Sequence, residues 1–507
     1  MSSTSDSSSL SHRVSSAMLW NSALFPLKFL IALGSGIILV RVLSKHDYAQ
    51  YSLILFTAGL IGAWVDLGME RSVARFTPEI EARAGRKGLL DFFKKLFGIK
   101  LAVILPVVLA FFLFPEFFIR VLALGEDGNI LLLGIALLVI LGAVSDVFIQ
   151  FLYTHFKQIA TNLLDIVASL LQPLLVLGFA LAGAGVVGLV AATVFSSALL
   201  DALAGWRARK LVNQIPMREG TMPPRLWQRF ANVSAMNFVI TATASLSEPG
   251  FAALVLTGSK QLTAVAILAV GYRFVQYFLR FLVAPLTGIQ TPLFTRLYAD
   301  RKMEQVREAY STLTKFFIFA LVPCGAVMIL LAPRLIPFLF TESYELSALV
   351  AIVLIIFLFS ETITSIPVGM LIVFEQSRAT LISRLLSILS VPLLLALVPP
   401  FGAVGAAVAI GAPRLLSRIY ATIFTAQHYA IRFPFAFLLR VLAASALAAI
   451  PLFFTRELEW WWMALATILF ALLFLGLFKL FGGFDAQEKA RLNALKFPFK
   501  DLVLRWL

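Results

Sequence analysis

The chain has 507 residues, 60% of them hydrophobic and 14% charged, against roughly 45–50% apolar and about 25% charged in soluble domains. That balance excludes a soluble globular domain and a disordered chain. The excess of 42 Lys and Arg over 27 Asp and Glu, a formal charge of +15, would suggest nucleic acid in a soluble protein. Here the basic residues lie between apolar runs of spanning length, so the charge reads as orientation in a bilayer and no nucleic-acid partner is expected.

The chain begins with a polar, serine-rich tail, residues 1–17. It lacks a basic n-region, and no small-residue cleavage pattern follows the first apolar run, so that run is expected to be a retained span. A helix crosses the hydrocarbon core with about 20 mostly apolar residues. Fourteen such runs are present: 18–42, 49–69, 96–115, 129–150, 160–182, 184–206, 230–257, 262–287, 313–333, 347–372, 380–399, 402–427, 437–455 and 460–482. With the N-terminus on the cytoplasmic side, the inside segments carry 28 Lys and Arg and the outside segments 5. The positive-inside rule therefore places both termini in the cytoplasm, in a multi-pass cytoplasmic (inner) membrane protein. Beyond Phe481, Lys489, Arg491 and Lys496 alternate with Leu492, Leu495 and Trp506. This is either an amphipathic segment lying on the anionic leaflet or a plain positive-inside tail.

The sequence repeats itself. Ser44, Lys45, Ala49 and Leu53 match Ser259, Lys260, Ala264 and Leu268, and Gly185-Val-Val-Gly188 recurs as Gly402-Ala-Val-Gly405. Arg75 and its basic loop align with Arg296 and the loop after it. The offsets lie between 215 and about 221 residues. Two homologous six-span halves are expected, related in parallel because six is even. The expected layout is an N-terminal bundle 18–206, a basic linker 207–229, a C-terminal bundle 230–427, two further spans in 428–482 and a basic tail 483–507.

Charges inside the bilayer cost about 2.5–3.5 kcal/mol each at mid-helix, so they mark candidate sites. Lys28 lies in the first run and Arg273, Tyr277 and Arg280 in the eighth, at i, i+4, i+7 on one helix face. Guanidinium groups a turn or two apart suit a pyrophosphate, which a planar fork binds with geometry as well as charge. The alternative is that these cations pair with Glu248, Glu361 or Asp66 and hold helices together. For Arg280, Arg414 and Arg418, snorkelling toward the cytoplasm is a further alternative. Asp66, Glu70, Asp146, Asp165 and Asp201 share one depth, beside Arg71 and Arg75. They read as a salt-bridged inner gate formed by Asp66, Glu70 and Arg75, or as ordinary helix-end solvation. Glu248 precedes Pro249, where a proline leaves a carbonyl unsatisfied; Glu248 and Glu361 are candidates for ion coupling. The lone Cys324 and the scattered His12, His46, His155 and His428 give no metal-ligand spacing. No phosphate-loop, hydrolase-elbow or zinc-protease motif is present. No catalytic residue, metal or cofactor is expected.

R-V-L-S-K-H-D-Y-A-Q-Y-S-L at 41–53, Asp66-Leu67-Gly68 followed by Arg71 and Arg75, and the turns Gly185/Gly188 and Gly402/Gly405 carry a resemblance. The chain resembles the multidrug/oligosaccharidyl-lipid/polysaccharide exporter superfamily, and within it the polysaccharide flippases. The resemblance implies an all-α membrane protein of about 14 transmembrane helices, with two six-helix bundles in a V, like the multidrug exporters, plus two extra C-terminal helices. It implies an undecaprenyl-pyrophosphate-linked oligosaccharide carried to the outer leaflet by alternating access, with membrane lipids and polysaccharide polymerase or assembly proteins as partners. Lys28, Arg71 and Arg273 or Arg280 are the positions that match the cationic cavity of related lipid II flippases. A cation-coupled multidrug exporter, a passive scramblase, and a polymerase or glycosyltransferase are the competing readings; the short outer segments near 116–128 and 334–346 disfavour the last.

Overall fold

The computed structural model describes residues 29–155, 158–218 and 220–485. Lys28 and the basic tail from Lys489 onward lie outside the described residues, as does the side chain of Asp165. Among the described residues the chain is helical, with no strand. In order come α1 (Phe29–Val42), α2 (Lys45–Val65), α3 (Met69–Leu113), α4 (Pro115–Val121), α5 (Gly128–Thr154), α6 (Gln158–Leu181), α7 (Gly185–Gln214), α8 (Leu226–Ser245) and α9 (Pro249–Gly258). They continue with α10 (Leu262–Ala299), α11 (Met303–Phe340), α12 (Glu345–Ile363), α13 (Ile366–Val373), α14 (Ser377–Leu385), α15 (Ser390–Tyr429), α16 (Phe435–Thr455) and α17 (Trp460–Leu480). Among the described residues, ten helical stretches are long and apolar enough to cross a membrane, or eleven if the bent α8–α9 pair is one span. Where they are described the fourteen apolar runs are mostly helical, with breaks at 246–248 inside 230–257 and at 364–365 inside 347–372.

The sequence marks the boundaries through a few local signals. Ser44 caps α2 by accepting the Asp47 N–H at 3.0 Å, which satisfies one of the orphan donors at a helix start. Pro249 opens α9, where its missing N–H is harmless, and the α8–α9 span bends by 50° at Leu246–Glu248. The paired glycine turns behave alike. Gly185 has φ +61° and Gly402 φ +53°, a region that L side chains rarely occupy. A Cβ on Gly405 would overlap the Leu397 carbonyl, so the chain turns back on itself between these two residues.

One stretch departs from the expected pattern. The charged residues 71–95 read as a loop, but they are helical and belong to α3, which runs 45 residues. At about 1.5 Å per residue that length far exceeds one membrane crossing. Gly85 breaks it, with φ 57° and ψ −152°. The Arg86 N–H freed at the break donates to the Pro216 carbonyl at 3.2 Å.

The chain divides into two compact units, residues 1–269 and 270–507. In the first, α3, α5, α7 and α8 share a core that includes Val73, Phe76, Leu89, Phe92, Phe151, Val212 and Phe230. Its rings interlock: Phe92 stacks on Trp227 at 5.5 Å and meets Phe230 edge-on at 5.6 Å. Gly68, with φ +70°, lets the α2–α3 corner lie directly on α8, since a Cβ there would overlap the backbone at Ser234 and Phe238. In the second unit, α11 packs on α12 and α16, and α12 on α15. Phe319 of α11 holds the last helix through Phe474 and Phe478, at 5.5 and 4.9 Å. Arg334 donates to the Arg456 and Leu458 carbonyls between α16 and α17, with its guanidinium 4.7 Å from the Trp460 ring.

Candidate functional site

Each unit buries a charged cluster in its spans. In the first, Lys100 of α3 is the one buried lysine among the described residues. Its Nζ donates to Asp66 Oδ1 at 2.8 Å and to the Ala143 carbonyl at 3.0 Å. Asp66 ends α2, and its other oxygen accepts the Glu70 N–H at 3.2 Å. Gln150 of α5 donates to Glu70 Oε1 at 2.5 Å. The charges acting most strongly on Asp146 of α5 are Glu70, Lys100, Asp66 and Asp201. Asp201, on α7, is buried and hydrogen-bonded by Ser145, while its Oδ2 accepts no hydrogen bond among the described residues. Asp66 is therefore paired with Lys100 and Glu70 sits beside Asp66, with Asp146 and Asp201 within electrostatic reach of this corner. A protein interior tolerates such an excess of like charge only with a counter-ion or bound protons.

The gate partner expected from sequence, Arg75, sits elsewhere. Its guanidinium lies 5.7 Å from the Phe76 ring, and its charge acts on Glu79. Arg71 is exposed at the start of α3. Glu248 stands at the α8–α9 break, its backbone extended at φ −104° and ψ 160°.

In the second unit, Glu361 of α12 is buried and accepts from Arg414 Nε at 2.8 Å and from Arg418 Nη2 at 3.0 Å. Arg414 and Arg418 are one turn apart on α15, so a single carboxylate meets two cations. For Arg414 and Arg418 this is the pairing that the sequence offered as the alternative to pyrophosphate binding by the intramembrane cations. Arg273, Tyr277 and Arg280 do fall on one continuous helix, α10, with Arg273 and Tyr277 partly buried and Arg280 exposed. Among the described residues, no group of three or more His, Cys, Asp or Glu has metal-binding geometry.

The family model described as polysaccharide biosynthesis protein matches residues 38–350. The chain belongs to this polysaccharide biosynthesis family. That family is the one toward which the motifs at 41–53, 66–75, 185–188 and 402–405 point. A search of curated proteins finds no match. Among solved structures, the lipid II flippase MurJ in its inward closed conformation aligns with a TM-score of 0.71 at 15% identity, covering 95% of this chain and 100% of MurJ. An inward-facing multidrug resistance MATE transporter of the MOP superfamily aligns at 0.59 and 15% identity, covering 80% of this chain and 94% of its own. The Vibrio cholerae MATE transporter VcmN, as a mutant, aligns at 0.55 and 16% identity, covering 83% and 100%. The polysaccharide biosynthesis protein thus has the MurJ/MATE fold.

Sequence reasoning missed Lys100 in this family member. It sits five residues inside the run 96–115, where Leu, Ile, Val and Ala dominate and the mean hydropathy stays high. The signal was present, since a lysine well inside a spanning run is costly without a partner.

Proposed function

We propose that this polysaccharide biosynthesis protein is a flippase for an undecaprenyl-pyrophosphate-linked oligosaccharide, such as an O-antigen, capsule or exopolysaccharide repeat. It carries the substrate from the cytoplasmic to the outer leaflet by alternating access of its two six-span repeats, with both termini cytoplasmic in the inner membrane. The observation that carries the reading is coverage. MurJ, a lipid II flippase, is matched along its whole length and accounts for 95% of this chain, whereas whole or nearly whole MATE transporters account for 80–83%. The family description, polysaccharide biosynthesis, supports a saccharide cargo.

The substrate's pyrophosphate would be held by the cations of the spans: Lys28, Arg71, Arg273 and Arg280, with Tyr277 on the same face as the last two. Outward movement of negative charge is downhill when the inside is negative, by about 2.3 kcal/mol per charge per 100 mV. Two pyrophosphate charges thus supply roughly 4–5 kcal/mol at 100 mV. Proton or cation antiport at Glu248, Glu361 or the Asp66–Glu70–Asp146–Asp201 cluster would add to this. Release of the Lys100–Asp66 pair, in place of an Arg75 bridge, would open the inner gate.

The acidic cluster favours one second reading, a cation-coupled multidrug exporter, because an excess of carboxylates over cations in the spans suits a cationic cargo. One assay separates the two readings. Purified protein in liposomes is given a fluorescent undecaprenyl-pyrophosphate oligosaccharide, and in parallel a cationic dye. Leaflet exchange of the lipid without dye efflux supports the flippase; the reverse supports the exporter.

A further inference from the structure

Helix α3 folds back on itself. The 34 residues from Asp66 to Lys100 would span about 50 Å as one straight helix, yet the two side chains pair at 2.8 Å. Residues 69–84 and 86–113 therefore form a helical hairpin with its tip at Gly85, where Ile80 faces Gly88 across the turn. The apolar run 96–115 begins eleven residues beyond that tip, about 16 Å along the helix. The headgroup layer is only about 5–8 Å deep on each side of the hydrocarbon core. The tip thus stands in water, on the side that the Lys and Arg distribution assigns to the cytoplasm.

The connection from α7 to α8 is strapped over this tip. The Arg86 N–H donates to the Pro216 carbonyl at 3.2 Å, Arg86 Nη2 to Asn213 Oδ1 at 2.5 Å, and Arg218 Nη1 to the Ala82 carbonyl at 3.1 Å. Gly220 lies so close to the Arg83 carbonyl that a Cβ there would overlap it. Between the pinned Pro216 and Arg218, Met217 is 73% exposed. A lone exposed hydrophobe is ordinary on a protein surface, but this one is held at an apex among cations. Residues 82–88 and 216–218 carry Arg83, Arg86, Lys87 and Arg218 and no carboxylate; Glu219 lies outside the described residues. The carboxylates just before the tip are engaged, Glu79 by Arg229 at 2.8 Å and Glu81 by His155 at 2.7 Å. Arg83 and Lys87 are exposed and form no ion pair among the described residues, and Asp91, one turn past Lys87, forms none either.

A fixed apolar knob ringed by unpaired cations complements a protein surface with an apolar pocket and an acidic rim. Lipid headgroups lie short of the tip, and a bare polyanion would use the cations and leave the methionine in water. We propose that the Gly85 tip and its Pro216–Arg218 strap dock an acidic surface of a cytosolic protein, with Met217 entering an apolar pocket and Arg83 and Lys87 meeting carboxylates. The docking is independent of the cargo and rests only on the cytoplasmic assignment of this end.

The test uses the full-length chain in native membranes with the cytosolic fraction added back, and Met217→benzoylphenylalanine as the photoreactive probe. Irradiation should give an adduct with a soluble protein at a peptide rich in Asp and Glu. Met222→benzoylphenylalanine, turned inward against Gly88, should crosslink only within the chain. Arg83→Glu combined with Lys87→Glu should lower the adduct about tenfold, while Arg83→Lys keeps it. Changing the mapped carboxylates of the partner to lysine should restore the adduct with the double variant, a rescue that damage to the fold would not allow. Salt at about 1 M, where the Debye length is about 3 Å, should lower the wild-type adduct as well. Adducts with lipid or nucleic acid alone, no intermolecular adduct, a yield indifferent to charge reversal, or modification of Met217→Cys by an impermeant maleimide from the outer side would overturn the proposal. Leaflet exchange is read separately on purified protein. Its absence beside a charge-dependent adduct sinks the flippase reading alone, and exchange without such an adduct sinks the docking alone.

Discussion

Replacing Lys100 by Met removes the ammonium that pairs with buried Asp66. The Lys100 and Asp66 side chains are 3% and 9% exposed, and their ion pair is 2.8 Å long. Breaking a pair so deeply buried costs about 3–5 kcal/mol, because the remaining charge is left without a partner. Among the described residues Asp66 would keep the Glu70 N–H at 3.2 Å, and the Ala143 carbonyl would lose the ammonium. For a unit of this size each kcal/mol corresponds to roughly 2 °C, so the melting temperature should fall by about 6–10 °C. The assay is the fraction of detergent-solubilised protein that stays monodisperse on size exclusion after heating. Asp66→Asn combined with Lys100→Met removes both charges and should recover most of the loss, since the orphaned charge, rather than the absent pair, carries the penalty. A Lys100→Met protein as stable as wild type, or a double variant whose loss is the sum of the singles, would refute the pairing and the cluster built on it.

Three further outcomes follow from the same geometry. Glu361→Gln leaves Arg414 and Arg418 facing each other, whereas Arg418→Met leaves a paired Glu361 and Arg414; the first should destabilise more in the same heating assay, and equal losses would contradict the assigned pairs. Gly68→Ala should sharply lower the yield of monodisperse protein, because the new methyl meets α8 backbone at a positive φ, while Gly98→Ala, with open space around it, should behave as wild type. If Glu248 couples an ion to transport, Glu248→Gln should abolish the dependence of exchange on an imposed ion gradient while keeping its dependence on voltage; unchanged gradient dependence removes Glu248 from that role.

The architecture was legible because bilayer physics writes it in composition. Apolar runs of spanning length fall on helices, and the turns at Gly185 and Gly402 carry matching positive φ angles that the repeated G-x-x-G spacing announced. The first half of α3 was not legible. Its density of Arg, Lys and Glu reads as a connection, yet those residues are good helix formers, and its core face, Val73, Phe76 and Ile80, is spaced for a helix packing on α5 and α8. Charge pairing was the least visible part. Glu361 stands 53 and 57 residues from its two arginines, and Lys100 34 from Asp66. No local pattern links such distances. Only the packing of α12 on α15, and of the α2 terminus beside α3, selects these partners from the other intramembrane charges.

The central claim is that the protein moves an anionic lipid-linked saccharide across the bilayer through its intramembrane cations. The most direct measurement is leaflet exchange of a fluorescent undecaprenyl-pyrophosphate oligosaccharide in liposomes, with and without an imposed potential, for wild type and Arg273→Ala. Exchange that rises with inside-negative potential and is lost in Arg273→Ala is the predicted result. Exchange indifferent to both potential and Arg273, or none at all beside efflux of a cationic dye, would contradict it.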